Sequence, residues 1–96
     1  MAAPAPQPLL FAVRGPMARE DLHGLCDRVC ALLDANPAPV ALCDVEGVAP
    51  DAVTVDALAR LQLAARRRGC QVRLRRASDE LRRLVAFMGL TDVLPE

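Results

Sequence analysis

Two short stretches hold the side chains best suited to chemistry. In the first, His23, Cys26, Asp27 and Cys30 follow one another at spacings of three and four. On a helix that spacing aligns them along one face, where imidazole, thiolate and carboxylate could together hold a metal ion. In the second, Asp44, Glu46, Asp51 and Asp56 crowd about a dozen residues, an arrangement that could attract a cation weakly. Packing and capping account for both more simply. Leu22, Leu25 and Val29 share the helical region with Cys26 and Cys30, and cysteine is among the most often buried residues. The four acids fall where a strand ends and a helix begins, a usual place for capping and solvated carboxylates. One histidine, no Gly-x-Ser-x-Gly and five singly scattered glycines leave no general-base constellation and no phosphate-cradling loop. The expectation is a protein that is not an enzyme and carries neither cofactor nor metal.

The elements that position these residues follow from hydrophobic spacing. VALCDV, Val40–Val45, is an apolar run suited to the middle of a sheet. Gly47 and Pro50 stop it. A long helix opens at Asp51 or Thr54, with Asp56 expected in its first turn, Arg66, Arg67 and Arg68 in its last, and Gly69 closing it. Upstream, Leu9–Val13 has strand length and is ended by Arg14, Gly15 and Pro16, and Arg19–Asn36 carries the stripe Leu22, Leu25, Cys26, Val29, Leu32, Leu33. Downstream, Cys70–Arg76 alternates as a strand with Val72 and Leu74 on one side and Gln71, Arg73 and Arg75 on the other. Ser78 then caps a helix over Asp79–Met88, closed by Gly89. Asp92–Leu94 either adds a short strand or simply packs. Alternating strand and helix implies an α/β fold with a small, mostly parallel sheet of three or four strands and three helices, joined by right-handed crossovers. So few strands can leave one sheet face poorly covered, an apolar surface for a partner or for a second copy in a homodimer.

Ninety-six residues suffice for one domain, expected over residues 9–96 behind a disordered Pro- and Ala-rich tail, residues 1–8. No apolar run is long enough to span a bilayer. MAAPAPQP lacks a basic segment followed by an apolar core, so no signal peptide is read and the cytoplasm is the expected compartment. Cys26, Cys30, Cys43 and Cys70 match neither a disulfide framework nor a zinc motif. All twelve basic side chains are arginine, and nine of them lie in residues 60–83 against Asp79 and Glu80 alone. That stretch can meet nucleic acid, an acidic protein or the chain's own acidic half. Only Phe11 and Phe87 are aromatic, too few for a base-stacking platform, so no nucleic-acid partner is expected.

From Cys43 to Glu96 the chain resembles a STAS domain, the module of sulfate transporters and anti-sigma factor antagonists. Asp44-Val45-Glu46-Gly47-Val48 is similar to the family's Asp-Leu-Ser-Gly-Val-like turn, and Asp51 follows as a helix-opening aspartate. Ala57-Leu58 begins the helical stripe where the family has Ala-Leu, and Leu84–Leu94 is similar to its Leu-x-x-x-Gly-Leu-x-x-x-Leu close. The resemblance covers about Leu9–Glu96 and implies the STAS fold and a non-catalytic bacterial regulatory role. The partner it implies is a protein: an anti-sigma factor or related signalling kinase or, as the alternative within the fold, a lipid-transport assembly of which the chain is a subunit. Two departures stand out. The family's Asp-Ser-Ser-Gly, whose second serine accepts phosphate, reads here Asp51-Ala52-Val53-Thr54, so the acceptor position is Val53 and no phosphorylation is expected there. Thr54, one residue on, is a weak candidate better read as a capping or early helical residue. Only one strand precedes the first helix, where the family often has a hairpin. The expected partner-binding residues are Asp51, Ala52, Val53, Thr54, Asp56 and Arg60, an apolar centre with a polar rim at a helix start.

Overall fold

In the computed structural model, residues 8–13 and 19–96 are described. Expectations for residues 1–7, for the Arg14-Gly15-Pro16 stop, and for the side chains of Leu22 and His23 lie outside the described residues. The order is β1 (Leu9–Ala12), α1 (Arg19–Ala35), β2 (Val40–Asp44), α2 (Ala52–Arg66), β3 (Gln71–Arg75) and α3 (Asp79–Phe87). The strands form a three-stranded parallel sheet in the order β1-β2-β3. Both crossovers therefore step the same way across the sheet, and right-handedness places α1 and α2 on the same face.

Strand alternation decides what that face buries. Val13 beyond β1, Ala41 and Cys43 on β2 with Val45 just past its end, and Val72 and Leu74 on β3 are buried. They form one apolar cluster with Leu25, Val29 and Leu33 of α1, Val55, Leu58, Leu61 and Ala65 of α2, and Leu81 and Val85 of α3. The alternate residues Leu10, Ala12, Val40, Leu42, Gln71, Arg73 and Arg75 face the other way and are half-buried or exposed. Among the described residues the helices thus form a single layer on one face. β2 is central, as its apolar run implied.

Several boundaries differ from the sequence reading. α1 ends at Ala35, one residue before Asn36, whose N–H still bonds to the Leu32 carbonyl. α2 begins at Ala52 with Asp51 as its N-cap, so Asp56 lies beyond the first turn. α3 ends at Phe87, and Met88 is an exposed cap, not a core residue. Asp92–Leu94 does not pair as a strand; Leu94 is buried, and the Pro95 carbonyl takes the Leu74 N–H at 2.8 Å. Gly69 earns its place in the α2–β3 turn. Its φ of +74° is open to glycine at little cost and lets the Cys70 N–H return to the Ala65 carbonyl at 3.0 Å.

The outer edge of β3 is closed in a way the spacing did not reveal. Gln62 is fully buried on α2. Its amide donates to the carbonyls of Val72 and Val93, both at 2.8 Å, and its oxygen accepts the Val72 N–H at 2.8 Å. The side chain takes the role of a neighbouring strand at Val72 and ties the chain's last residues to the sheet.

Candidate functional site

The α2 start is built by its cap. Asp51 is extended (φ −123°, ψ 164°), its carboxylate accepts the Thr54 N–H at 2.8 Å, and its carbonyl accepts the Val55 N–H at 3.1 Å. Those bonds occupy two of the four first-turn amides and leave the Ala52 and Val53 N–H groups without an intrahelical partner. The Thr54 N–H, chiefly, holds the Asp51 carboxyl below the usual carboxylate range, with a smaller pull from the Thr54 hydroxyl.

Of the six residues expected at the junction, five reach the surface. Asp51, Ala52, Asp56 and Arg60 are exposed and Val53 is half-buried. Asp56 and Arg60 pair across one turn, Nε to Oδ2 at 2.9 Å. Thr54 differs: its side chain turns into the core, it is 0% exposed, and its hydroxyl is buried without a hydrogen-bond partner among the described residues. The exposed part of the junction therefore offers one branched apolar side chain between carboxylates, beside two open amides. It offers no nucleophile, and the histidine is far away in sequence.

A second polar group, not anticipated, sits where β2 and β3 end. Arg76 occupies the left-handed region at φ +57°, the one non-glycine residue there among those described. That turn ends β3 at Arg75, before the expected Arg76. The Arg76 guanidinium bonds the Asp44 carboxylate and reaches Glu46 at 2.6 Å, while Asp44 also accepts the Glu46 N–H at 3.0 Å. Left-handed backbone costs an arginine roughly 1 kcal/mol, and nothing in local spacing marks the position; only the acids across the sheet do.

The four cysteines divide by depth. Cys43 and Cys70 are buried, while Cys26 and Cys30 are half-buried on α1. Burial, then the neighbouring Asp44, pushes the Cys43 thiol up to about 12. Burial also raises Cys26, helped by the charges of Cys30 and Asp27, and raises Cys70. Among the described residues no three potential ligands gather around a common point.

The arginine-rich half turns partly inward on the chain's own acids. Arg68 meets Asp34 at 3.1 Å, Arg76 meets Asp44 and Glu46, Arg82 meets Glu96 at 2.7 Å, and Arg60 meets Asp56. Exposed pairs of this kind add little stability, but they break up the continuous positive surface that duplex DNA would need. Gel-shift titration with random duplex DNA at physiological salt is therefore expected to show no binding tighter than about micromolar, the strong end of ordinary non-specific affinity. A tighter, steeply salt-dependent shift would make the arginines a nucleic-acid surface.

Comparison with known proteins agrees with the fold. The family model described as Mlab, STAS domain, matches residues 3–95. Among solved structures, a sulfate transporter family protein from Wolinella succinogenes is similar at 26% identity and a TM-score of 0.65, over 90% of this chain and 70% of that one. No curated protein matches. No helix among the described residues is long and apolar enough to cross a membrane.

Proposed function

Because the chain belongs to the STAS domain family, we propose that it is a non-catalytic, cytoplasmic module that holds a protein partner at the start of α2. The residues that make the contact are Asp51, Ala52, Val53, Asp56 and Arg60, with Thr54 supporting them from beneath. One observation carries this reading: a half-buried valine stands between exposed carboxylates and two open helix amides. Apolar surface there favours a dry contact, and the polar rim fixes its orientation. Neither feature serves a reaction.

The junction also bears on the kind of partner. An anti-sigma factor antagonist of the kind the resemblance implies is switched by phosphate on a hydroxyl at this helix start. Here Val53 has no hydroxyl, and the Thr54 hydroxyl is buried. An anti-sigma factor or signalling kinase remains a partner such a surface can bind, but without that release step. A standing subunit contact, as in a transport assembly, needs no release. The junction favours this second setting, and the similar protein described as a sulfate transporter family member is in keeping with it. Incubation with a cognate serine/threonine kinase and ATP is expected to leave residues 51–56 unmodified by intact-mass and peptide mass spectrometry. Stoichiometric phosphate on Thr54 would restore the switch and return the anti-sigma reading to first place. Co-purification with products of the adjacent genes separates the two settings: a kinase-type anti-sigma factor supports one, transport subunits the other.

A further inference from the structure

We propose that the open face of the sheet docks an acidic amphipathic helix from a protein partner, on the side of the sheet away from the helix layer. Purely parallel sheets occur almost only with both faces covered, because crossover helices pack on both. Among the described residues this sheet has helices on one face alone. The uncovered face is ordered by register. Leu10, Leu42 and Arg73 lie abreast, as do Ala12, Asp44 and Arg75, with Val40 beside Gln71. β1 and β2 thus supply an apolar strip, and β3 supplies a column of cations along its flank. Leu10 is 63% exposed, a large cost for an aliphatic side chain with no cover.

The charges select the occupant. The ion pairs of the described residues involve Arg60, Arg68, Arg76 and Arg82. Arg75 has no carboxylate partner among them, and Arg73 meets the main-chain oxygen of Glu96 at 3.1 Å. The one acid on the face, Asp44, is bonded to Arg76. A second copy presenting this same face would bring further arginines and, among the described residues, no carboxylate but Asp44, which is bonded to Arg76. A segment with leucines on one stripe and glutamates beside it meets both columns. The dimensions suit a single helix: three strands span roughly 10 Å, about the width of one helix with its side chains. A concavity of ≈ 440 Å³ lined by Leu10, Phe11, Ala12, Asp44, Arg75 and Arg76 extends the face past the carboxyl ends of the strands.

The probe is a labelled synthetic helix of about fourteen residues, roughly 21 Å long, with a leucine stripe flanked by glutamates. Its control has lysine at every glutamate position. Fluorescence anisotropy with the full chain is expected to show the acidic peptide binding at least tenfold tighter than the basic one, with amide shifts in β1, β2 and β3. Arg75→Glu is expected to weaken the acidic peptide at least tenfold and strengthen the basic one. Leu42→Glu should weaken both, its fold checked by circular dichroism. Val53→Asp should change neither, so loss of the α2 contact and loss of this one are told apart. Equal affinity for the two peptides, no binding, no response to Arg75→Glu, or shifts confined to the helix layer would each overturn the proposal. So would sedimentation showing that this face is consumed by self-association.

Discussion

Val53→Asp is expected to abolish capture of the partner while leaving the domain folded. Val53 is the second residue of α2 and is only half-buried. A carboxylate there faces the positive end of the helix dipole, which favours it by roughly 0.3–1 kcal/mol and offsets repulsion from Asp51 and Asp56. Thermal melting should therefore stay close to that of the native chain, since a surface change usually alters stability by no more than about 0.5 kcal/mol. In the complex the same carboxylate enters a dry contact without a counter-charge. An unpaired buried charge of that kind costs several kcal/mol or so, and each ~1.4 kcal/mol is tenfold in affinity. Pull-down and calorimetric titration with the neighbouring-gene product should show a loss on the order of a hundredfold or more. A folded Val53→Asp chain that binds at native affinity would remove the α2 start from the interface. A chain that no longer melts cooperatively would mean that Val53 belongs to the core.

The largest effect on stability is expected at Gln62. Replacing it with leucine keeps a side chain of similar size and removes three hydrogen bonds, those to Val72 N–H, Val72 carbonyl and Val93 carbonyl. A buried polar group left without a partner costs roughly 1–3 kcal/mol. Three together approach the whole stability of a small domain, which is about 5–15 kcal/mol. Gln62→Leu should therefore unfold at much lower urea or be isolated largely unfolded, although the substitution raises hydrophobicity. Gln62→Glu tests the same geometry through protonation. A carboxylate can accept the Val72 N–H but has no proton for either carbonyl, and burial raises its pKa. The variant should be weakest above that raised pKa and regain stability as the pH falls and the group becomes a donor. Urea midpoints within error of the native chain for both variants would show that the β3 edge does not depend on this side chain.

The order of elements was legible because each segment's apolar period agrees with its flanking signals. Leu25, Val29 and Leu33 keep helical spacing, Val72 and Leu74 keep strand alternation, and glycines close α2 and α3. The α2 start was legible for the same reason: Asp51 follows a Gly- and Pro-bearing loop and caps as an aspartate should. What escaped was tertiary. Thr54 is the early helical residue its type allowed and was counted with the partner-binding ones, yet it follows the stripe of Leu58 and Leu61 into the core. Gln62 lies on that stripe too, four residues from Leu58 and three from Ala65, and a polar residue at such a position was the available signal. Its partners, ten and thirty-one residues away, are not local. Arg76 breaks the strand at a residue type that gives no hint of left-handed backbone; the cause is the pair of acids at the end of β2.

The sorting of the thiols by depth makes the domain its own clock. Cys43 lies in the central strand beneath the helix layer, 0% exposed and with its thiolate held out of reach at neutral pH. An alkylating reagent cannot attack it in the closed molecule, so its reaction counts the moments when β2 is uncovered. Cys26 and Cys30 lie at the margin of the same layer and register smaller, more frequent excursions of α1. Together they resolve breathing of one helix from opening of the whole fold, in the native sequence and without an added label.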